Sequence, residues 1–281
     1  MTALVVDGNN AVHRAHYAVP FKTHNGIPIN AIIGFVNILK SNLHKIDASH
    51  CGIVFDGKGR NFRHDLYANY KSERDKKADV VDAISQQIPL LRDLCDELGI
   101  FNIQPKNVEG DDVVGQLAVD YVDEFEAYSY ILSADKDFGQ LLRHKGIRLI
   151  NPQKGIIRRD NIESFYGVRA RQIVDYLMLE GDKIDSIPGV FGIGHKTAIR
   201  LLSEYRHAED IPASAYPKPV AARYAEIQKQ FSLTRQLLTL RLDLVDISPR
   251  KLKRRRKDQK MIKAFCNTYG LNSLYWKIMD I

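Results

Sequence analysis

Residues 128–137 read Tyr128-Ser129-Tyr130-Ile131-Leu132-Ser133-Ala134-Asp135-Lys136-Asp137, a short apolar run that stops at Ser-Ala and then meets two acids. The same figure occurs twice earlier: residues 3–6 run into Asp7, and residues 52–55 run into Asp56. Brief continuous apolar runs bounded by turn residues fit the interior strands of a parallel sheet. Between them the apolar spacing predicts helices over 29–45, 80–98 and 112–125. This alternation gives an α/β fold with a mostly parallel central sheet flanked by helices. Sheets of this kind place their sites in the crevice beyond the carboxyl ends of the strands, where these acids fall.

After about residue 165 strand-like runs become scarce. Helical spacing is predicted over 169–179, 196–205, 221–239 and 259–269, with Pro212, Pro217 and Pro219 marking an irregular connection over 207–219. The reading is therefore an α/β domain at 1–165 and a helical domain at 166–281.

Net charge is +7 over 281 residues, with 44% hydrophobic content. A basic surface favours polyanions through counterion release, although charge alone does not identify one. Cys51, Cys95 and Cys266 are odd in number and widely spaced, so they form neither a disulfide framework nor a CxxC metal motif. The amino-terminal apolar run is too short for a signal peptide and no stretch reaches membrane-span length. A soluble, cytoplasmic protein without a membrane partner is expected.

The acids Asp7, Asp56, Asp135 and Asp137 are joined by Glu109-Gly110-Asp111-Asp112 and by Asp182 and Asp185. Singly, each is equally a helix cap or a turn residue. Gathered in one crevice, their repulsion demands a cation or raised pKa values. Oxygen ligands without His or Cys suit Mg²⁺, with Mn²⁺ able to substitute, rather than Zn²⁺. There are more carboxylates than one Mg²⁺ uses, which implies two or more ions. A pair about 4 Å apart suits hydrolysis of a phosphodiester.

Directly after Asp185 comes Ile187-Pro188-Gly189-Val190-Phe191-Gly192-Ile193-Gly194-His195-Lys196-Thr197-Ala198. Glycines before a helix let backbone N–H groups approach a phosphate, and Lys196 adds charge. The pattern is that of a helix-hairpin-helix, which holds one DNA strand by its backbone. A Walker A loop is absent, so no nucleotide cofactor is expected.

With these motifs in order, the chain resembles the 5′-nuclease family of flap endonucleases, bacteriophage 5′ exonucleases and the 5′-nuclease domain of bacterial DNA polymerase I, whose catalytic domain is PIN-like. The resemblance rests on LVVDGNNAVHRA at 4–15, on Phe55-Asp56 with Asn61-Phe62-Arg63 and Tyr70-Lys71, on VEGDDVVGQLA at 108–118, on SADKDFGQLL at 133–142, and on 181–198. It implies that Asp7, Asp56, Glu109, Asp111, Asp112 and Asp135 hold one metal site, and that Asp137, Asp182 and Asp185 complete a second. K⁺ is implied at the hairpin. Residues 60–77 resemble the entrance to a helical arch, where Arg63 and Lys71 would meet the scissile phosphate and Tyr70 would stack on a base. Arg74, Arg14, Gly192, Gly194, Lys196 and Thr197 are the remaining implied DNA contacts. His13 and His16 are read as packing or solvent-facing. Gly110, Ala134 and Ser186 depart from the family's usual Ala, Gly and Asn.

The implied activity is structure-selective 5′-nuclease action on DNA flaps, ends or branches, leaving a 5′-phosphate and a 3′-hydroxyl. A monomer is expected, acting without an attached polymerase and in contact with replication proteins. Two alternatives stand beside it: a non-catalytic branched-DNA-binding protein on the same scaffold, and an RNA-directed nuclease. The basic run RKLKRRRK at 250–257 reads equally as a DNA or partner grip and as a solvated tail.

Overall fold

The computed structural model describes residues 1–72 and 78–281. Its main sheet has six strands: β1 (Thr2–Asp7), β2 (His50–Val54), β3 (Phe101–Ile103), β4 (Tyr128–Leu132), β5 (Ile147–Asn151) and β6 (Gly155–Ile157). In space their order is β3-β2-β1-β4-β5-β6. The first five are parallel, with Val5 opposite Gly52 on one side and Ile131 on the other, and β6 returns antiparallel along β5. The three apolar runs that end in acid are the central strands. Two of the outer strands escape the sequence reading because Phe101-Asn102-Ile103 is short and Arg148 interrupts Ile147–Asn151.

Successive side chains of β1 feed two layers, as a period of two requires. Leu4 and Val6 pack with α1 (Gly8–Ala18), α2 (Asn30–Lys45) and α4 (Ala78–Glu97); between the last two lies the short α3 (Phe62–Leu66). Ala3 and Val5 face α5 (Gly110–Phe125) and a core that continues through α6 (Ile173–Glu180), α7 (His195–Glu204) and α8 (Tyr224–Leu238). Leu177, Leu201 and Phe231 sit in that same core with Val113 and Leu117, so the helical half is seated on the sheet and does not hang from a linker.

Residues 249–281 return to the first layer. The chain crosses the amino ends of the strands, where Lys253 bridges to His50 and the Arg255 N–H donates to the Gly99 carbonyl at 2.9 Å. Ile262, Phe265 and Cys266 of α9 (Gln259–Thr268) then pack with Leu4, Leu39 and Leu94. The sequence reading placed these residues with the helical half, because an amphipathic helix reveals its buried face and not the layer it joins. The basic run is put to structural use. Arg254 donates to the carbonyls of Ala48 and Ile281, Lys257 to that of Met279, and Arg250 pairs with Glu124. Among the described residues no helix is long and apolar enough to cross a membrane.

Candidate active site

Strand β1 ends at Asp7, whose carboxylate caps α1 by accepting the Asn10 N–H at 3.0 Å and takes the Ser133 hydroxyl proton at 2.7 Å. A short polar side chain at an N-cap satisfies orphan amides of the first turn. The next two residues bolt the neighbouring strand ends to this point: the Asn9 side chain accepts the Asp56 N–H at 2.9 Å, and Asn10 accepts the Ala134 N–H at 3.2 Å. Asp7, Asp56 and Asp135 are thereby brought to one crevice. The amino end of α5 adds Glu109 and Asp111. A Cβ on Gly110 would lie 2.7 Å from Asp56 Oδ1, so the smallest residue lets the two acid-bearing segments touch.

The electrostatics match the crowding. Burial, then the charges of Asp56 and Asp135, raise the Asp7 pKa from 3.8 to about 7 against the pull of its hydrogen bonds. Burial and the charges of Asp7, Asp135 and Asp56 push Asp111 well above the ordinary range. Asp137 moves the same way through burial and repulsion by Asp135, Asp182 and Asp185. Burial also raises Asp135. Asp137 Oδ1 is buried and accepts no hydrogen bond, a costly state for a carboxylate oxygen.

Cations reach some acids and not others. Glu109 accepts Lys71 Nζ at 2.8 Å, the Tyr70 hydroxyl at 3.0 Å and Asn61 Nδ2 at 2.7 Å. Burial would raise its pKa, but Lys71 and Arg63 outweigh that and hold it low. Tyr70 also donates to Asp185 at 3.0 Å, and the Lys71 N–H donates to the Asp185 carbonyl at 2.9 Å. Asp182 folds over the Ile184 and Asp185 amides at 2.9 and 3.2 Å, with Lys136 Nζ at 3.6 Å. Residues 70–71 thus tie Glu109, beside the first group of acids, to Asp185 of the second.

Three implied residues sit differently from their expected roles. Tyr70 is only 3% exposed, so its ring faces the core and is not presented to a base. Arg63 is 2% exposed and grips Asp112 with both ends of its fork, at 2.6 and 2.8 Å, while donating to the Leu237 and Thr239 carbonyls at 2.7 and 3.1 Å. Burial would lower the Arg63 pKa, but Asp112 raises it strongly. Asp112, fully buried, also accepts the Arg241 N–H at 2.9 Å. The family resemblance put Arg63 near the scissile phosphate and Asp112 among the metal ligands; packing turns both inward, where they anchor α3 and α5 to the end of α8. Arg74 lies outside the described residues. Arg14 is exposed on α1.

The roles of Asn9, Asn10, Asn61 and Ser133 escape the sequence reading. Each stands inside a quoted motif, and the signal was available in the Asp-x-x-Asn spacing of 7–10 and in Asn61 just before α3.

The donors are all oxygen, Asp137 Oδ1 is orphaned, and Asp7 and Asp111 repel their neighbours; this set fits hard divalent ions. Among the described residues no three acids already converge on one ion position. Instead Lys71 and Lys136 occupy Glu109 and Asp182, and binding an ion would require local rearrangement of those side chains.

Beside the acids, Gly181–Asp182 pairs with Ile187–Pro188, and the chain turns through Gly192, at φ +84°, into α7. No side chain caps the amino end of α7 at Gly194, and Gly192, Gly194 and Lys196 are exposed while Thr197 is half-buried. A Cβ on Gly194 would meet nothing within 4 Å, so the chain lies open on that side. The exposed amides and Lys196 make this end a place for an anion.

Comparison with known proteins gives two family matches: residues 2–167 fit the model of the 5′-3′ exonuclease N-terminal resolvase-like domain, and residues 168–260 that of the 5′-3′ exonuclease C-terminal SAM fold. The 5′-3′ exonuclease of Aquifex aeolicus is 31% identical over 292 aligned positions, covering all of this chain and 96% of that protein. The thermostable DNA polymerase I of Thermus filiformis is 33% identical over 275 positions, covering 96% of this chain and 32% of the polymerase. The chain therefore spans about a third of that DNA polymerase I. A structure of the T5 5′-exonuclease with bound zinc ions shares the fold at a TM-score of 0.73 and 16% identity, covering 100% of this chain and 99% of that one. The catalytic core of Rad2 in complex with DNA gives 0.64 at 16% identity, covering 99% and 90%.

Proposed function

We propose that this chain, which belongs to the 5′-3′ exonuclease family, is a structure-selective 5′ nuclease that hydrolyses DNA phosphodiesters at 5′ flaps, ends and branches. One observation carries the proposal: a crevice of mutually repelling carboxylates, one with an orphaned oxygen, opens beside a glycine hairpin whose helix amides are uncapped.

In this reading Asp7, Asp56, Glu109, Asp111 and Asp135 hold one divalent ion, and Asp137, Asp182 and Asp185 a second, Mg²⁺ or Mn²⁺ in each case. When bound, the ions supply activation of water and neutralisation of charge at the phosphodiester. The chain's own groups do the rest. The amides of Gly192 and Gly194 and the Lys196 ammonium hold one strand of the duplex by its phosphates, and K⁺ on carbonyls of the 189–194 loop belongs to the same proposal. Lys71, which pairs with Glu109, would carry its charge to the scissile phosphate. Tyr70 positions Glu109 and Asp185, and Asp112 acts through Arg63 as a positioning residue. Water adds to phosphorus, the bond from phosphorus to the 3′-oxygen breaks, and the proton ends on that oxygen, leaving a 5′-phosphate and a 3′-hydroxyl. A monomeric enzyme that meets replication proteins and works in the cytoplasm completes the proposal.

The test is cleavage of a 5′-labelled flap duplex in Mg²⁺ and in EDTA, beside a matched blunt duplex and an RNA flap. Cutting at the DNA flap junction in Mg²⁺ alone is the expected result. Tight binding without cutting in Mg²⁺ or Mn²⁺ would replace the proposal with a non-catalytic branched-DNA binder.

A further inference from the structure

A basic surface lies at the opposite end of the strands from the carboxylates. A 3-10 stretch, Asp137–Arg143, ends in Arg143, and the chain then turns into the amino end of β5. Because β6 runs back along β5, with Ile157 opposite Leu149, Arg158 and Arg159 leave the sheet at that same end. Arg169 and Arg171 flank the first turn of the helical half.

These arms enclose two adjoining hollows that share Arg159. One, of about 310 Å³, is lined by Arg143, Arg159, Arg169 and Arg171 with Glu163. The other, of about 410 Å³, is lined by Lys145, Arg148, Arg158 and Arg159 with Asp160. The two acids pair with Arg169 at 3.7 Å and Arg158 at 3.3 Å, both in solvent, where such pairs contribute little. Seven cations against two acids leave a strong positive excess. Six of the seven are arginine, whose planar fork suits phosphate oxygens better than a lysine point charge. Arg148 stands over the Tyr128 ring at 4.3 Å, and its Nε is buried without a hydrogen-bond acceptor.

This surface connects to the hairpin. A Cβ on Gly167 would lie 2.4 Å from Ile199 Cδ1, so α7 rests directly on the turn that leads into Arg169. The hairpin forms the amino end of α7. At about 1.5 Å per helical residue, the arginines begin roughly 10–20 Å from it. Along a duplex that is roughly three to six base pairs, at about 3.4 Å each.

We propose that this arginine face holds the phosphate backbone of the duplex arm that leaves the hairpin away from the carboxylates. It rests on the reading that the hairpin holds duplex DNA. The surface acts as a rail: it adds sequence-independent affinity for substrates whose duplex arm is long enough to reach it.

The test is binding by fluorescence anisotropy in EDTA, with flap DNAs carrying duplex arms of about 8 and about 24 base pairs, lengths that bracket the span from the hairpin. The wild-type chain is compared with Arg143→Ala/Arg159→Ala/Arg171→Ala across a KCl series, after thermal melts establish equal folding. The wild type binds the long arm more tightly than the short one. The triple variant loses most of that advantage, and its salt slope on the long arm falls by up to about 2.7, at about 0.9 per phosphate contact. An unchanged slope with an unchanged long-to-short ratio overturns the proposal. So does loss of poly-glutamate binding with DNA binding intact, which assigns the face to an acidic protein. Because binding is read without metal, a chain that shows the slope change but never cuts DNA counts against the nuclease reading alone.

Discussion

The molecule buries acids in two regions and treats them in opposite ways. In the helical half, Asp175 is fully buried on α6, and Arg235 and the Ala208 amide both donate to its Oδ1, at 2.6 and 3.0 Å. Arg235 in turn holds Glu209, and α6, α8 and the 208–210 turn are tied together. In the crevice, Asp7, Asp111 and Asp137 are surrounded by other acids, and Asp137 Oδ1 has no hydrogen-bond partner among the described residues. Acids used for architecture are given an arginine; acids left facing one another are, in the proposed reading, those that take a cation from outside. Asp112 falls in the first class despite standing next to Asp111 in the motif, because Arg63 takes both of its oxygens.

The largest effect that separates the classes is on cleavage. Asp135→Asn or Asp111→Asn is expected to lower flap cutting by about a thousandfold or more, because either removes a ligand from the ion-assisted step. Their melting temperatures in EDTA should hold or rise, since a repelling charge is gone. A variant that keeps wild-type Mg²⁺-dependent rates would move that residue out of the site.

Asp112→Ala should behave oppositely. It strands the buried Arg63, and breaking such a pair costs about 3–5 kcal/mol. Urea unfolding should therefore shift far to lower denaturant. An unaltered midpoint would show that Arg63 finds water or another acceptor, and the architectural role would fail. Asp175→Asn is the milder control at about 1–2 kcal/mol, because Arg235 is partly exposed and keeps Glu209.

The pH dependence follows with its sign. Asp7 holds its proton to about pH 7 in the folded chain, against 3.8 as the ordinary value. The folded state thus binds more protons between those values, so the contribution of Asp7 to stability is full below about pH 4 and declines as pH rises towards 7. In EDTA, melting temperature should fall over that window, and Asp7→Asn should flatten the fall. Mg²⁺ should raise it more at pH 7.5 than at pH 5. Equal Mg²⁺ stabilisation at both would contradict the claim that ions answer the repulsion.

Smallest of all is Gly110→Ala. Its Cβ would crowd the end of the Asp56 side chain at 2.7 Å, which can turn aside, while the Asp56 backbone stays in ordinary contact at 3.5 Å, so kcat should change by no more than a few-fold. A hundredfold loss would mean that Asp56 has no room to move.

Much of this contrast was legible in the sequence. Strand-ending acids such as Asp7 and Asp56 follow from apolar runs closed by a charge, and the oxygen-only set already pointed to hard ions. Partner choice was not legible. Nothing in Glu109-Gly110-Asp111-Asp112 says which of two adjacent aspartates meets Arg63, because that depends on where α8 ends 125 residues and more downstream, at Leu237 and Thr239. Tyr70, interleaved with cations, reads as a solvent face until Glu109 and Asp185 close around its hydroxyl. Helix α1 was missed because Gly8-Asn9-Asn10 is poor helix sequence, and only the Asp7 cap and the packing of Ala11, Val12 and Ala15 make it fold. The docking of residues 249–281 was hidden by the polar run before α9.

The most direct test of the division between the two kinds of acid is Mn²⁺ titration by calorimetry on the wild type, Asp137→Asn and Asp175→Asn. The account predicts uptake of two or more ions by the wild type, loss of at least one in Asp137→Asn, and none lost in Asp175→Asn. Equal losses in both variants, or no Mn²⁺ uptake by the wild type, would contradict it.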